Sequence, residues 1–523
     1  MKKRLQAITG VAIMLLLFGN CLPSKHYVEI TPNQSAQLFR APRVQFALYN
    51  GDEYRMQIDM LDSLHLQGTG TFRKYAKNAW QPFSGRIPLD SVNLVLVEGN
   101  SFGNTFLVLA GGTALLAYWI KSQEKGDYDD QLIPDVYYPG GGSSSCPFLY
   151  SWNGTEFQLE GEAFGTALGK GLKMTSYHLL PGLRPKAGKA VLRIGNERPE
   201  THYLDAVRLW EVPVPAGHEA VLDGQNRLWS VRQSVPPLSA YDAAQADVLP
   251  LVRQCDRRYW ECDLAGIDIG NGFESGIELI FKRPPDAREG LLIVDAINTE
   301  ISNVLFQQVF GFLGEEALAL YQRLDGDPEW VAILEQWRRD CSLHLEMFSG
   351  GDWQAVGSIL PEANVVPFRR ALRFDLPPDG GDTVRLRLSS MADVWRIDAV
   401  ALACDLPPAI DPEALKPLPR SGEWDERLTS ADARYRTLFP GQALTLTFDG
   451  AAPADEAVCY VLAVRGYLHE WIVPPTQKTA FALLGEQLAG FDRLQFLKHL
   501  LAERSPAFLV PAYASWRMLK DVD

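Results

Sequence analysis

At 523 residues the chain has length for roughly two to four domains, each able to bury its own core. Its apolar fraction of 46% and charged fraction of 22% match those of folded soluble domains, which sets disorder aside. The formal charge of −14 argues against a nucleic-acid partner, because phosphate binding needs a basic face that releases counterions. Seven cysteines in this length are too few and too scattered for a disulfide scaffold.

Met1-Lys2-Lys3-Arg4 is a short basic start, and the apolar run from Ile8 through Phe18 follows it in the layout of a signal peptide. The run ends in Leu17-Phe18-Gly19-Asn20-Cys21, similar to a bacterial lipobox, in which the cysteine is lipidated and the chain is cut just before it. Asn20 departs from the usual small residue of that motif, and Phe18 is bulkier than usual. The expectation is a signal peptide over 1–21, lipidation at Cys21, and a membrane-tethered N-terminus on the exported side, periplasmic or at the surface. Residues 22–100 alternate in short stretches such as Tyr27-Val28-Glu29-Ile30 and Val92-Asn93-Leu94-Val95-Leu96-Val97, with Asn50-Gly51-Asp52 as a turn, which predicts a small β domain. Residues 102–120 carry no charge and are long enough to span a bilayer, but Gly111-Gly112 at their middle suits a bend. This segment, 101–121, is expected to associate with the membrane without a complete crossing, which would keep the larger body on the exported side. A polar linker over 122–145 ends in Gly140-Gly141-Gly142-Ser143-Ser144-Ser145.

Next, Cys146-Pro147-Phe148-Leu149-Tyr150-Ser151-Trp152-Asn153-Gly154-Thr155-Glu156-Phe157-Gln158-Leu159-Glu160 places Asn-Gly between two alternating runs, which predicts a hairpin with a type I′ turn. Strands are expected within 203–212, 276–281 and 291–297, in a β module over 146–298. Val304, Leu305, Val309, Phe312 and Leu313 recur at helical spacing. Trp330, Val331, Leu334 and Trp337 repeat it after the break at Asp325-Gly326-Asp327-Pro328, so 299–340 reads as a helical insertion. Strands return within 343–348, 384–388 and 394–402, in a β module over 341–406. Proline-rich residues within 407–430 form a linker, and 431–523 holds strands within 444–448 and 458–464 and an amphipathic helix around 487–502. The expected fold class is mainly β with helical insertions, β-sandwich-like modules plus one hydrophobic segment.

From Cys146 onward, several phrases recur together: Cys-Pro-x-x-Tyr-Ser with Glu162 and Gly165, Asn196-Glu197 with Pro199-Glu200 and Tyr203, and Tyr259-Trp260-Glu261 with Asp263-Leu264. Asn298-Thr299, and Trp395 with Asp398, complete the set. On these the chain resembles a family of uncharacterised exported bacterial proteins, many of them lipoproteins, over roughly residues 86–470. Asn153 stands where that family has Asp. The resemblance implies an envelope location and brings no reaction with it.

Catalytic and metal templates fail at required positions. His26, His65, His178, His202, His218, His344, His469 and His499 stand singly, without a zinc-binding pair. Gly165-Thr166-Ala167-Leu168-Gly169-Lys170-Gly171 mimics a phosphate loop, but its spacing is short and Gly171 stands where Ser or Thr must bind magnesium, so a plain turn is expected. Glu160-Gly161-Glu162 offers a carboxylate pair for glycoside chemistry, a pattern that any acidic protein supplies. Asp127-Tyr128-Asp129-Asp130 and Asp325-Gly326-Asp327 lack full calcium-loop spacing and read as solvated turns. Trp80, Trp353 and Trp424 sit among polar residues and are the candidates for sugar-stacking platforms, whereas Trp152, Trp210 and Trp395 are expected in cores. The cluster Arg465-Gly466-Tyr467-Leu468-His469-Glu470-Trp471 reads as a structural cap. A Cys255–Cys262 bridge is disfavoured, since it would need a turn at Arg258-Tyr259. No catalytic, cofactor or metal residue is assigned, and no cofactor is expected. The reading is a membrane-tethered, non-catalytic envelope protein that binds or scaffolds an envelope protein or glycan; the alternative is a glycan-binding or glycan-processing protein.

Overall fold

The structure, a computed structural model, describes residues 24–26, 43–48, 52–61, 65–74, 79–88, 92–101, 146–198, 200–261, 274–377, 381–452, 457–471, 492–505, 508–509 and 513. Cys21, Cys262 and the segments 27–30, 102–120 and 127–130 therefore lie outside the described residues. The chain divides into two compact units, Met1–Gly141 with Asn303–Gln322 and Trp471–Asp523, and Gly142–Ser302 with Arg323–Glu470. Among the described residues no helix is long and apolar enough to cross a membrane.

In the first unit, β1 (Ser24–His26), β2 (Arg43–Leu48), β3 (Glu53–Leu61), β4 (His65–Arg73), β5 (Gln81–Pro88) and β6 (Val92–Ser101) make one antiparallel sheet ordered β1-β6-β2-β3-β4-β5. Period-two patterning drives it: Tyr54, Met56 and Ile58 are buried while Gln57 and Asp59 are exposed.

The second unit opens with β7 (Phe148–Trp152), β8 (Phe157–Glu162), β9 (Met174–Leu179), β10 (Lys189–Gly195), β11 (Glu200–Pro213), β12 (Glu219–Asp223), β13 (Leu228–Val231) and β14 (Ser239–Asp242). A short α1 (Leu249–Val252), β15 (Trp260–Glu261), β16 (Glu274–Lys282) and β17 (Glu289–Asn298) follow. Next in chain order are the helices α2 (Ile301–Leu313) and α3 (Ala317–Gly326), of which Asn303–Gln322 belong to the first unit, and α4 (Pro328–Asp340) of the second, which begins where Asp327 accepts the Glu329 N–H ahead of a helix-starting proline. Then come β18 (Leu343–Ser349), β19 (Asp352–Ile359), β20 (Phe368–Asp375), β21 (Thr383–Met391), β22 (Trp395–Ala403), β23 (Arg420–Ser421), β24 (Arg436–Leu438), β25 (Ala443–Asp449) and β26 (Val458–Glu470). A last helix, α5 (Arg493–Ala502), belongs to the first unit. The protein is thus mainly β with helical insertions, in a sandwich-like arrangement of several sheets.

Four sheets build the second unit, ordered β23-β25-β10-β7-β8, β24-β11-β26-β9, β13-β12-β20-β17-β22-β15 and β14-β16-β21-β18-β19. Strands after the proline-rich stretch return to strands near its start: Lys189 lies opposite Asp449 and Glu200 opposite Glu470. The β12 strand is buried on both faces. Leu222 packs with Trp210, Val212 and Val461, while its neighbour Val221 packs with Trp229, Leu291 and Ile293. This two-sided burial is why β12 and β17 read as apolar runs rather than as alternation.

The predicted hairpin forms, but its turn is not type I′. Trp152 pairs with Phe157 across four loop residues, and only Gly154 has positive φ, at 101°. Asn153 instead turns its Oδ1 onto the N–H groups of Thr155 and Glu156, both at 3.0 Å, and onto the Thr155 hydroxyl. Its side chain, free to bond the backbone two and three residues on, captures amides that a two-residue turn would have left to the ladder.

Candidate binding cavity

The second unit encloses a cavity of about 560 Å3 where β8, the end of β9 with the turn after it, the start of β12, the approach to β20 and the start of β26 converge. This volume falls in the range of small-molecule sites. Its walls follow from local sequence. A bulge sets Leu149 opposite Gly161 but Tyr150 opposite Leu159, which leaves Glu160 as the extra residue, and bulges re-aim side chains in this way beside sites. Glu160 Oε1 then accepts from the buried Ser151 hydroxyl and, at 2.9 Å, from the Gly182 N–H. Gly182 is required there, because a Cβ would stand 2.4 Å from that same oxygen. Burial raises the Glu160 carboxyl above its ordinary pKa, opposed by these two hydrogen bonds and by Arg184.

Glu162, 1% exposed, does a different job. Its Oε1 accepts from the N–H groups of Val365 and Val366 at 2.8 and 2.7 Å, and its Oε2 accepts from the Cys146 thiol at 2.7 Å. It thereby pins the loop before β20 to the hairpin. With both oxygens engaged, it is not a partner to Glu160 in an acid and nucleophile pair. Across the cavity Arg370, in β20, forks onto both oxygens of Glu362 and donates to the Tyr177 carbonyl at 2.6 Å. Burial raises the Glu362 carboxyl, and Arg370 opposes the rise.

His178 faces the same cavity from β9 and is 7% exposed. Burial, aided by the neighbouring Arg370 charge, holds its pKa down at about 3, so the imidazole is neutral. The ring packs on Gly161, where a Cβ would come within 3.0 Å of Nδ1, and among the described residues no group bonds Nε2. His218, also in the lining, bonds Ser230 at 3.2 Å. Burial pushes the Cys459 thiol in the wall up to about 12, which leaves it a poor nucleophile.

The other candidates resolve into structural roles. Lys170 N–H in the phosphate-loop mimic donates to Asp325 at 2.8 Å, so a carboxylate of the protein occupies the place a phosphate would need, and His469 lies 3.1 Å from the same oxygen. Asp327 is the α4 cap. The 465–471 cluster is buried, with Tyr467 stacked on Tyr203 at 4.5 Å. Trp210 and Trp395 are buried and Trp152 is half-buried. Trp80, Trp353 and Trp424 are half-buried under guanidinium groups: Arg55 and Arg73 over Trp80 at 4.5 and 5.0 Å, Arg387 over Trp353 at 4.5 Å, Arg420 over Trp424 at 5.5 Å. Those stacked cations already occupy ring faces that a sugar platform would present. The Cys255 thiol donates to Asp398 at 3.1 Å and is unbridged.

Of the residues singled out in the sequence, the structure brings Glu160, Glu162, His178 and His218 to one cavity; Arg370, Glu362 and Arg184 join them without a sequence motif. One signal could have found Arg370: adjacent arginines, Arg369-Arg370, sit within a strand and point to opposite faces, so one of them must be buried. In comparisons with known proteins, no family model and no curated sequence matches the chain.

Proposed function

We propose that the chain is a membrane-tethered cell-envelope protein whose larger unit binds a ligand without transforming it. The lipobox-like Cys21 and the resemblance to exported proteins support the tether. The observation that carries the binding role is the cavity itself, whose charged groups are mostly tied to the protein: Glu162 by three donors, Arg370 and Glu362 by each other. Groups held this way orient a ligand. They do not move protons, since a general base must be within reach of a substrate proton and have a pKa near working pH. The test uses the full protein, extracted in detergent and screened by thermal unfolding against envelope-derived small molecules. A binder stabilises by mass action, raising the midpoint with concentration, and mass spectrometry then recovers it unchanged. Recovery of a cleaved or modified compound would replace binding with catalysis. Palmitate labelling that survives Cys21→Ser would move the anchor elsewhere.

A further inference from the structure

We infer that the cavity takes a neutral, polyhydroxylated ring, a sugar residue; this rests on the binding role proposed above and names its ligand. The first ground is charge. Carboxylates and guanidiniums share the wall: Glu160, Glu162, Glu219 and Glu362 with Arg184, Arg369 and Arg370. A free anion there meets carboxylates and a free cation meets guanidiniums, whereas a hydroxyl donates to the one and accepts from the other. The second ground is the pair of groups the protein does not satisfy. His178, more than nine-tenths buried, has no partner at Nε2 among the described residues, and a buried polar atom of this kind is stabilised by a ligand that bonds it. Glu160 spends Oε1 on Ser151 and Gly182 and has Oε2 left to accept. A neutral imidazole and a carboxylate oxygen in one cavity suit hydroxyl groups, each both donor and acceptor. The third ground is the apolar remainder of the wall, including Val366, Phe368 and Tyr460, against which the C–H face of a sugar ring packs.

The test titrates full-length protein in detergent calorimetrically with maltose and N,N′-diacetylchitobiose as neutral probes, and with glucosamine and glucuronate as charged rings. Saturable binding of a neutral probe, with both charged rings at least tenfold weaker, is expected. Glu160→Gln, which keeps shape and loses the carboxylate, should weaken that binding at least tenfold, and Ala220→Phe, which narrows the cavity, should abolish it. Trp353→Ala, far from the cavity lining, should leave it unchanged. Equal or tighter binding of a charged ring, or neutral binding unaffected by both cavity variants, overturns the inference. If no saccharide binds while another envelope compound raises the unfolding midpoint and loses that effect in Glu160→Gln, the sugar assignment fails and the binding role stands. If a saccharide binds and is returned cleaved, the ligand class stands and the non-catalytic role falls.

Discussion

Two buried charge clusters in the second unit use the same chemistry to different ends. Around Asp205, which is fully buried, Oδ1 accepts the Ala433 N–H at 2.9 Å, and Oδ2 meets the Lys173 ammonium at 3.0 Å and the Arg465 guanidinium at 3.4 Å. Lys173 also donates to the Tyr435 hydroxyl at 3.1 Å, and burial alone would lower its pKa, yet Tyr435 and Asp205 raise it on balance. Both Asp205 oxygens are engaged there, although Arg465 Nε itself makes no hydrogen bond among the described residues. Around His178 and Glu160 the protein supplies walls and stops short, leaving one imidazole nitrogen and one carboxylate oxygen to something else. A buried carboxylate whose oxygens are engaged helps to specify a unique core, whereas the open pair leaves room for the ligand proposed above.

Breaking the Asp205 cluster should give the largest effect. Asp205→Ala strands two cations around a desolvated site, and it should cost about 3 kcal/mol or more in urea unfolding, as removal of one member of a buried ion pair does. Glu162→Gln comes next. The amide keeps an acceptor for the Val365 and Val366 N–H groups but turns a donor toward the Cys146 thiol, and a loss of about 1–2 kcal/mol is expected from the weakened charge-assisted bonds. The open cluster should answer with the opposite sign. Because burial raises the Glu160 carboxyl, ionising it costs more in the folded than in the unfolded chain, so Glu160→Gln should leave stability unchanged or raise it by under about 1 kcal/mol. Equal destabilisation by Asp205→Ala and Glu160→Gln would erase the distinction between the clusters.

Acid sharpens the same contrast. His178 has a folded pKa of about 3 against an ordinary 6.5, so between those values the unfolded chain binds the extra proton. Stability is therefore full above about pH 6.5 and falls as pH drops toward 3. His202, buried against Glu200 at 2.7 Å, is also lowered to about 3 and has the same sign. Glu160 and Glu362, both raised, act the other way and lose stabilisation as pH rises through their folded values. His178→Phe should thus flatten, without abolishing, the loss of urea stability between pH 7 and 4. An unchanged acid slope would mean that His178 is protonated in the fold.

The difference between the clusters also explains what a reader of the sequence can see. Strands such as β11, β16, β21 and β26 were legible because alternation or apolar runs bounded by turn residues are local. So were α2 and α4, with Asp327-Pro328 marking the start of the second. The α3 helix falls within the predicted helical insertion, but its separation from α2 was not legible, since Leu318, Leu320, Tyr321 and Leu324 bury more than one stripe and blur the helical period. Pairing is not local: nothing near Glu200 announces Glu470, nor does β12 announce its parallel neighbour β20. The cavity is assembled from five such separated segments, so its residues appear in sequence only as a Glu-Gly-Glu repeat, a lone histidine and two adjacent arginines.

A further modest effect lies outside both clusters, at the hairpin whose strand β8 carries Glu160 and Glu162, and it tests the turn chemistry directly. In a type I′ turn both central residues sit at positive φ, so glycine at position 153 would be neutral or favourable. In the observed turn Asn153 holds the loop through its Oδ1, which takes two N–H groups and a hydroxyl, and glycine there removes all three bonds. Asn153→Gly should therefore cost about 0.5–1 kcal/mol, as loss of an exposed side-chain cap does. Gly154→Val should cost about 1 kcal/mol for a separate reason. Its φ of 101° resists a β-branched residue, although a Cβ there meets nothing within 4 Å. Since the two losses arise from different atoms, one a hydrogen-bond acceptor and the other a backbone angle, the double variant should lose close to their sum. Stabilisation by Asn153→Gly would restore the two-residue turn and with it a different register for Glu160 at the cavity wall.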